Sequence, residues 1–173
     1  MIAAFDVLYA PDPLCEGGEI AQVAGIRFET WGSEQILEEV VFRAFITEPY
    51  VPGEFYRREL PLILECLSKF TTRPDILVVD GYVDLGSGKA GLGRKLHEAT
   101  NLPVVGVAKK SFLGSEGVTL LRGESKKPLF ITNAKLPGAS SCISSMAGEF
   151  RIPKMLKHVD FLSRQGFPPE LKP

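Results

Sequence analysis

The sequence predicts an α/β protein with one mixed sheet, three antiparallel strands followed by α-β-α-β units, and helices on both faces. Three observations carry that prediction. Three β-prone runs, Ile2–Tyr9, Glu19–Trp31 and Gln35–Thr47, follow one another across short links, the pattern of an antiparallel meander. Two later runs, Ile76-Leu-Val-Val-Asp80 and Pro103-Val-Val-Gly-Val-Ala108, are continuously apolar, as strands buried on both faces are. Each of these two runs is preceded by a segment with helical spacing.

The elements follow in order. The first strand is apolar up to Asp6, and Pro11-Asp-Pro13 with Gly17-Gly18 makes the turn after it. Gly32-Ser33 turns the second strand into the third, and Pro49-Tyr-Val-Pro-Gly53 breaks the meander. From Glu59 onward Leu60, Ile63, Leu64, Leu67 and Phe70 recur at helical spacing. Pro61 suits a helix only near its start, which places Glu59 at the helix N-terminus. Pro74-Asp75 introduces the central strand, closed by Asp80 and Gly81. A glycine-rich patch, Gly86 to Gly93, leads into a second helix, Leu92 to Thr100, and then the Pro103–Ala108 strand. Gly117–Arg122 and Pro128–Thr132 read as a hairpin, and Ala139–Phe150 as an amphipathic helix. The last residues, with Pro168, Pro169 and Pro173, read as a trailing tail. The order β-β-β-α-β-α-β-β-β-α is that of the ribonuclease H-like fold.

Composition bounds the function. At 173 residues, 45% hydrophobic and 24% charged, the chain is read as one globular domain over 1–173. Apolar runs are too short for a membrane span, and Met1 to Phe5 stops at Asp6, too early for a signal peptide. The three cysteines, Cys15, Cys66 and Cys142, are odd in number and far apart, which favours a reducing, cytoplasmic setting. With two histidines, His97 and His158, a three-histidine zinc site is excluded. A bound metal would rest on carboxylates, which points to Mg²⁺ or Mn²⁺. The glycine patch lacks the Lys-Ser/Thr ending of a phosphate loop.

Three acids stand out by position. Asp6 and Asp80 close the first and central strands, and Glu59 begins the first helix. In this topology those two strands are neighbours, so Asp6 and Asp80 fall side by side at one sheet edge. Two such carboxylates repel unless they share a proton or a cation. Each acid alone reads as well as a turn residue, but the set favours a hard divalent ion that holds a phosphate and activates water. Lys109 ends the next strand at the same edge, where it can screen a phosphate or stabilise a leaving oxygen. Tyr50, stiffened by Pro49 and Pro52, can wedge a base stack. Gly53, Gly81 and Gly106 permit close approach of a flat ligand or simply make turns.

Taken together, Pro49-Tyr-Val-Pro-Gly53, Arg58-Glu59-x-Pro61, Leu77-Val-Val-Asp-Gly81 and Gly106-Val-Ala-Lys109 resemble endonuclease V. Ala4-Phe-Asp6-Val-x-Tyr9 resembles the family's first strand, and Pro128-Leu-Phe-Ile131 with Arg151-Ile-Pro153 through Asp160 resembles its last strand and tail. The resemblance implies a ribonuclease H-like fold and Mg²⁺-dependent cleavage of the second phosphodiester 3′ of inosine, in DNA or in RNA. It implies that Asp6 and Asp80 bind the metal, Glu59 completes the acidic site, and Lys109 assists at the phosphate. Tyr50 would wedge the strand, while Gly53, Gly81, Tyr82 and Gly106 would line the pocket of a flipped base. The chain departs from the family pattern in five places. Tyr82-Val83 stands for His-Gly, Gly86-Ser-Gly88 for His-Pro-Arg, and Asn133-Ala-Lys135 where a late acidic-site histidine is expected. The segment between Lys109 and Pro128 reads as short, and no leading helical extension is expected before Met1.

Three functions are therefore weighed: a repair endonuclease for deaminated purines, a divergent nucleic-acid-binding relative with weak or no cleavage, and a hydrolase of small phosphate esters. The net charge of −1 hides a split. Residues 1–86 hold 6 basic and 15 acidic side chains, while residues 87–173 hold 14 basic and 6 acidic. The acidic half carries the candidate cation ligands, and Lys89, Arg94, Lys95, Lys109, Lys126, Lys127 and Lys135 of the basic half are placed to meet phosphates.

Overall fold

Ten residues, Ile2–Pro11, form β1, and its two neighbours set the layout of the sheet. On one side β2 (Glu19–Phe28) runs antiparallel, from Ile2 opposite Phe28 to Pro11 opposite Glu19. On the other side β4 (Ile76–Asp80) runs parallel, with Phe5 opposite Val79. β3 (Glu38–Ile46) is antiparallel to β2, and β5 (Val104–Ala108) is parallel to β4, with Asp80 opposite Val107. β6 (Val118–Leu120) and β7 (Leu129–Ala134) form the expected hairpin, with β7 antiparallel to β5. Among the described residues the sheet has seven strands in the order β3-β2-β1-β4-β5-β7-β6. This computed structural model describes residues 1–12, 14, 18–46, 51, 54–112, 114 and 117–167.

Strand periodicity sorts the core into two layers. Ala3, Phe5, Leu77, Val79 and Val104 face α1 (Tyr56–Lys69) and α2 (Leu92–Thr100). Ile2, Ala4, Val78, Val105 and Val107 face α3 (Ala139–Ser144) and α4 (Lys154–Arg164). The predicted α/β sheet with helices on both faces is therefore present.

The structure differs from the expectation in four elements. The second strand stops at Phe28, not Trp31, because Thr30 and Ser33 bond to one another in a turn. The first helix begins at Tyr56, ahead of Glu59, so Glu59 lies within its first turn and Pro61 lies inside it. Pro61 lies past the four N–H groups that a helix start leaves free, so it forgoes the bond its N–H would have made to the Arg57 carbonyl. The helix expected over Ala139–Phe150 ends at Ser144. Beyond it the carbonyls of Met146, Gly148 and Phe150 accept hydrogen bonds from the buried Arg122 guanidinium, a tertiary contact that replaces helical bonds. The structure also adds a helix beyond the expected order: α4 starts behind Pro153 and buries Met155, Val159 and Leu162 against β1 and β2, while the tail with Pro168, Pro169 and Pro173 lies outside the described residues. No helix among the described residues is long and apolar enough to cross a membrane.

Candidate functional site

The register that sets Phe5 beside Val79 brings Asp6 beside Asp80 where the parallel pairing ends; Asp80 closes β4 as expected, but Asp6 lies mid-strand, because pairing with β2 carries β1 on to Pro11. Both follow the periodicity of Ala4 and Val78, so both carboxylates point toward α4. There α4 adds a third, Asp160, and one oxygen from each of the three lies within 4.8 Å of the others. Backbone pairing thus brings Asp6 and Asp80 together, and helix packing closes the cluster.

Each carboxylate is held by a neighbour. The buried Ser163 hydroxyl donates to Asp6 Oδ2. Arg164 donates from Nε to Asp160 Oδ2 at 3.0 Å and from Nη2 to Asp160 Oδ1 at 3.2 Å. Lys109 Nζ donates to Asp80 Oδ2 at 2.7 Å and lies 3.3 Å from Asp160 Oδ1. Its ammonium supplies the positive charge that three gathered carboxylates require.

The electrostatics match this crowding. Burial pushes the Asp6 carboxyl up to about 6, with the charges of Asp80 and Asp160 adding to the rise; Ser163 and Lys109 oppose it. Glu59, half-buried on α1, is held well above the usual carboxylate range by burial and then by Asp6 and Asp80. Burial pushes Asp160 up as well, but the Arg164 hydrogen bonds and the Lys109 charge outweigh it and hold its carboxyl low. Lys109 is likewise raised, because Asp80, Asp160 and Asp6 outweigh its burial.

The other candidate residues fall in three groups. Glu59 joins the site from the opposite face, lining with Asp6 and Asp80 a small cavity of 10 Å³. Gly81 follows Asp80 with φ +134° and open space at its Cβ position, so close approach remains available there. Gly106 is different: a Cβ would lie 2.6 Å from the Gly81 carbonyl and 2.6 Å from Thr132 Oγ1. Its bare backbone serves the packing of β4, β5 and β7. Tyr82 is buried, and its hydroxyl donates to the Lys110 carbonyl at 2.7 Å, next to Lys109. Tyr50 and Gly53 lie outside the described residues.

Sequence reasoning missed Asp160, Ser163 and Arg164 as site residues. The late site residue was expected after the Phe130 strand, but Asn133 there caps a turn, accepting from the Leu136 N–H, and α4 supplies the third acid instead. The missed signal was the spacing of Met155, Val159 and Leu162 behind Pro153, a helix buried on one side. Of the cations assigned to phosphates, Arg94 is bonded twice to Asp84 and Lys95 once to Glu98, whereas Lys89, Lys126, Lys127 and Lys135 are exposed.

Fold and site together define a ribonuclease H-like α/β protein with a carboxylate cluster suited to a hard cation. The family model for endonuclease V matches residues 1–139, and the chain belongs to the endonuclease V family. It is 32% identical to endonuclease V of Xylella fastidiosa over 114 residues, a match covering 66% of this chain and 45% of that relative's length. It is 26% identical to the Roseiflexus castenholzii enzyme over 188 residues, covering 95% and 81%. Among solved structures, Bacillus subtilis endonuclease V superposes with a TM-score of 0.78 at 20% identity, covering 94% of this chain and 78% of that one. The Ciona intestinalis protein, solved with DNA containing an inosine followed by a ribo-adenosine, gives 0.76 at 16% identity, covering 95% and 84%. The catalytic domain of human endonuclease V gives 0.74 at 23% identity, covering 98% and 83%.

Proposed function

We propose that this chain is a Mg²⁺-dependent endonuclease that cuts 3′ of deaminated purines, inosine above all, in DNA or RNA, and acts in repair in a reducing, cytoplasmic setting. The observation that carries the reading is the cluster of Asp6, Asp80 and Asp160 oxygens within 4.8 Å at the sheet edge. The donors are all carboxylate oxygens, which fits Mg²⁺ or Mn²⁺, and the Lys109 ammonium already lies against two of them. Membership in the endonuclease V family and the inosine-containing DNA bound by the Ciona relative support the substrate.

Asp6, Asp80 and Asp160 would hold the ion. The chemistry such an ion would supply there is acidification of water and neutralisation of phosphate charge. The chain's own groups do the rest. Ser163 and Arg164 fix the orientation of Asp6 and Asp160. Lys109 exchanges its carboxylate partners for a phosphate oxygen or the leaving oxygen. Glu59, held well above the usual carboxylate range, keeps its proton to higher pH than a free carboxyl and exchanges it with water. The flipped base is taken on the Gly81 side, next to Tyr82, with Tyr50 and Gly53 as wedge and pocket wall and Gly106 behind it as a packing glycine.

The test is nicking of inosine and adenosine oligonucleotides, DNA and RNA, with Mg²⁺ or Mn²⁺. The parent cuts the inosine strand and Asp80→Ala does not. Absence of cutting with either metal at high protein concentration overturns the nuclease. Salt-dependent binding that persists in that case selects the binding-only reading, which the Lys109 ion pairs with Asp80 and Asp160 favour.

A further inference from the structure

A cleft of 870 Å³ opens beside the carboxylates on the α4 face, and Lys109 and Asp160 belong both to its wall and to the site. Phe150 and Ile152 are the apolar residues of its lining. Phe150 is 70% exposed, with Lys157 Nζ 5.3 Å from its ring centroid. A single exposed phenylalanine is ordinary. This one is held on a fixed backbone. Arg122, 7% exposed, donates to the carbonyls of Phe150 at 2.8 Å, Gly148 at 3.1 Å and Met146 at 2.5 Å. Gly123 packs so closely that a Cβ would lie 2.3 Å from the Glu149 carbonyl. Arg151 then ties the same segment to the site, donating to the Lys109 carbonyl at 2.5 Å and to Pro128 at 2.7 Å. The backbone that carries the phenyl ring is therefore tied to the backbone of Lys109.

The charges of the lining cancel, with Lys109, Arg151 and Lys157 against Glu124, Glu149 and Asp160. A neutral lining that includes an aromatic ring suits a nucleobase better than a run of phosphates. The fold also says which base. Glu59 on α1 and Gly106, in step with Val104, belong to the α1/α2 face, whereas the cleft lies on the α4 face. The carboxylates stand between. A strand with its deaminated base on that α1/α2 face, taken at Gly81 as proposed above, reaches the cleft only after crossing the cut phosphate.

We propose that this cleft binds the first nucleotide 3′ of the cut, its base stacked on Phe150 in place of the Lys157 ammonium, which moves to the adjoining phosphate. The inference rests on the nuclease reading for its strand polarity. The test is a two-by-two cycle. The protein is the parent or Phe150→Ala, with Phe150→Trp as the rescue. The probe is a deoxyinosine oligonucleotide with either a normal or an abasic residue at that position. KM is read from nicking with Mg²⁺, and Kd from fluorescence anisotropy with Ca²⁺. Removing the ring or the base weakens binding about 5- to 100-fold, the size of one base–aromatic stack, and removing both costs no more than removing one. Phe150→Trp restores the parent value. An effect that multiplies, or no effect of Phe150→Ala, overturns the proposal while leaving a cutting enzyme intact. If the parent binds but does not cut, the nuclease reading fails, and the Kd cycle alone still decides whether Phe150 holds that base. Thermal melts of each variant confirm that the fold is kept.

Discussion

Asp6→Asn tests the carboxylate cluster through stability rather than through activity. In the native state Asp6 titrates at about 6, against 3.8 in an unfolded chain. Its first cause is burial, followed by the Ser163 bond that opposes it and the repulsion of Asp80 and Asp160. Between these two values the native state holds more proton than the unfolded one. Stability from this group is thus complete below pH 3.8 and is lost as pH rises through about 6. One pKa unit is worth about 1.4 kcal/mol, so keeping Asp6 ionised costs at most about 3 kcal/mol above pH 6. Asparagine keeps the shape and removes that cost, while weakening the Ser163 hydrogen bond by about 1 kcal/mol. The net gain is about 2 kcal/mol, or about 4–8 °C in Tm for a chain of this size. The assay is thermal unfolding followed by circular dichroism at pH 8 in chelator, repeated at pH 4, where the gain disappears. Saturating Mg²⁺ reverses the order, because it stabilises the parent and not the variant. A variant that melts at or below the parent at pH 8 in chelator refutes the reasoning.

Three further outcomes follow from the same geometry. Arg164→Gln removes both bonds to Asp160, so the Asp160 carboxyl rises toward its ordinary range and Mg²⁺ affinity falls about 10-fold; calorimetric titration showing an unchanged Kd would count against it. Gly106→Ala forces a Cβ against the Gly81 carbonyl and Thr132 Oγ1, lowering stability by about 1–3 kcal/mol, read as an earlier urea midpoint with no change in slope. Tyr82→Phe removes the hydrogen bond to the Lys110 carbonyl; stability drops about 1 kcal/mol and kcat falls more than KM changes, as a residue that positions Lys109 requires.

How much of this was legible beforehand differs by element. The apolar runs at Ile76 and Pro103 gave the parallel strands, and the spacing from Leu60 to Phe70 gave the first helix. Asp6 and Asp80 were legible because strand order and register fix their neighbourhood, and both are written in local pattern. That helix starts at Tyr56, three residues before the position Pro61 suggests, because a proline is compatible with an interior helical position at the cost of one bond. The helix after Ala139 was read too long, because its end is set by Arg122, a residue on the far side of β7 in sequence.

Local hydrophobic spacing within a few residues is enough to set the element order, the mixed sheet and two of the three clustered carboxylates. Only the tertiary structure decided the rest. Asp160 reaches Asp6 and Asp80 because α4 packs its apolar side onto β1 and β2, and Ser163 meets Asp6 across 157 residues of chain. It also decided that Gly106 is a packing glycine and that Tyr82 braces the Lys109 segment. Contacts so distant in sequence follow from how the faces of finished elements fit together, and local spacing carries no record of that fit.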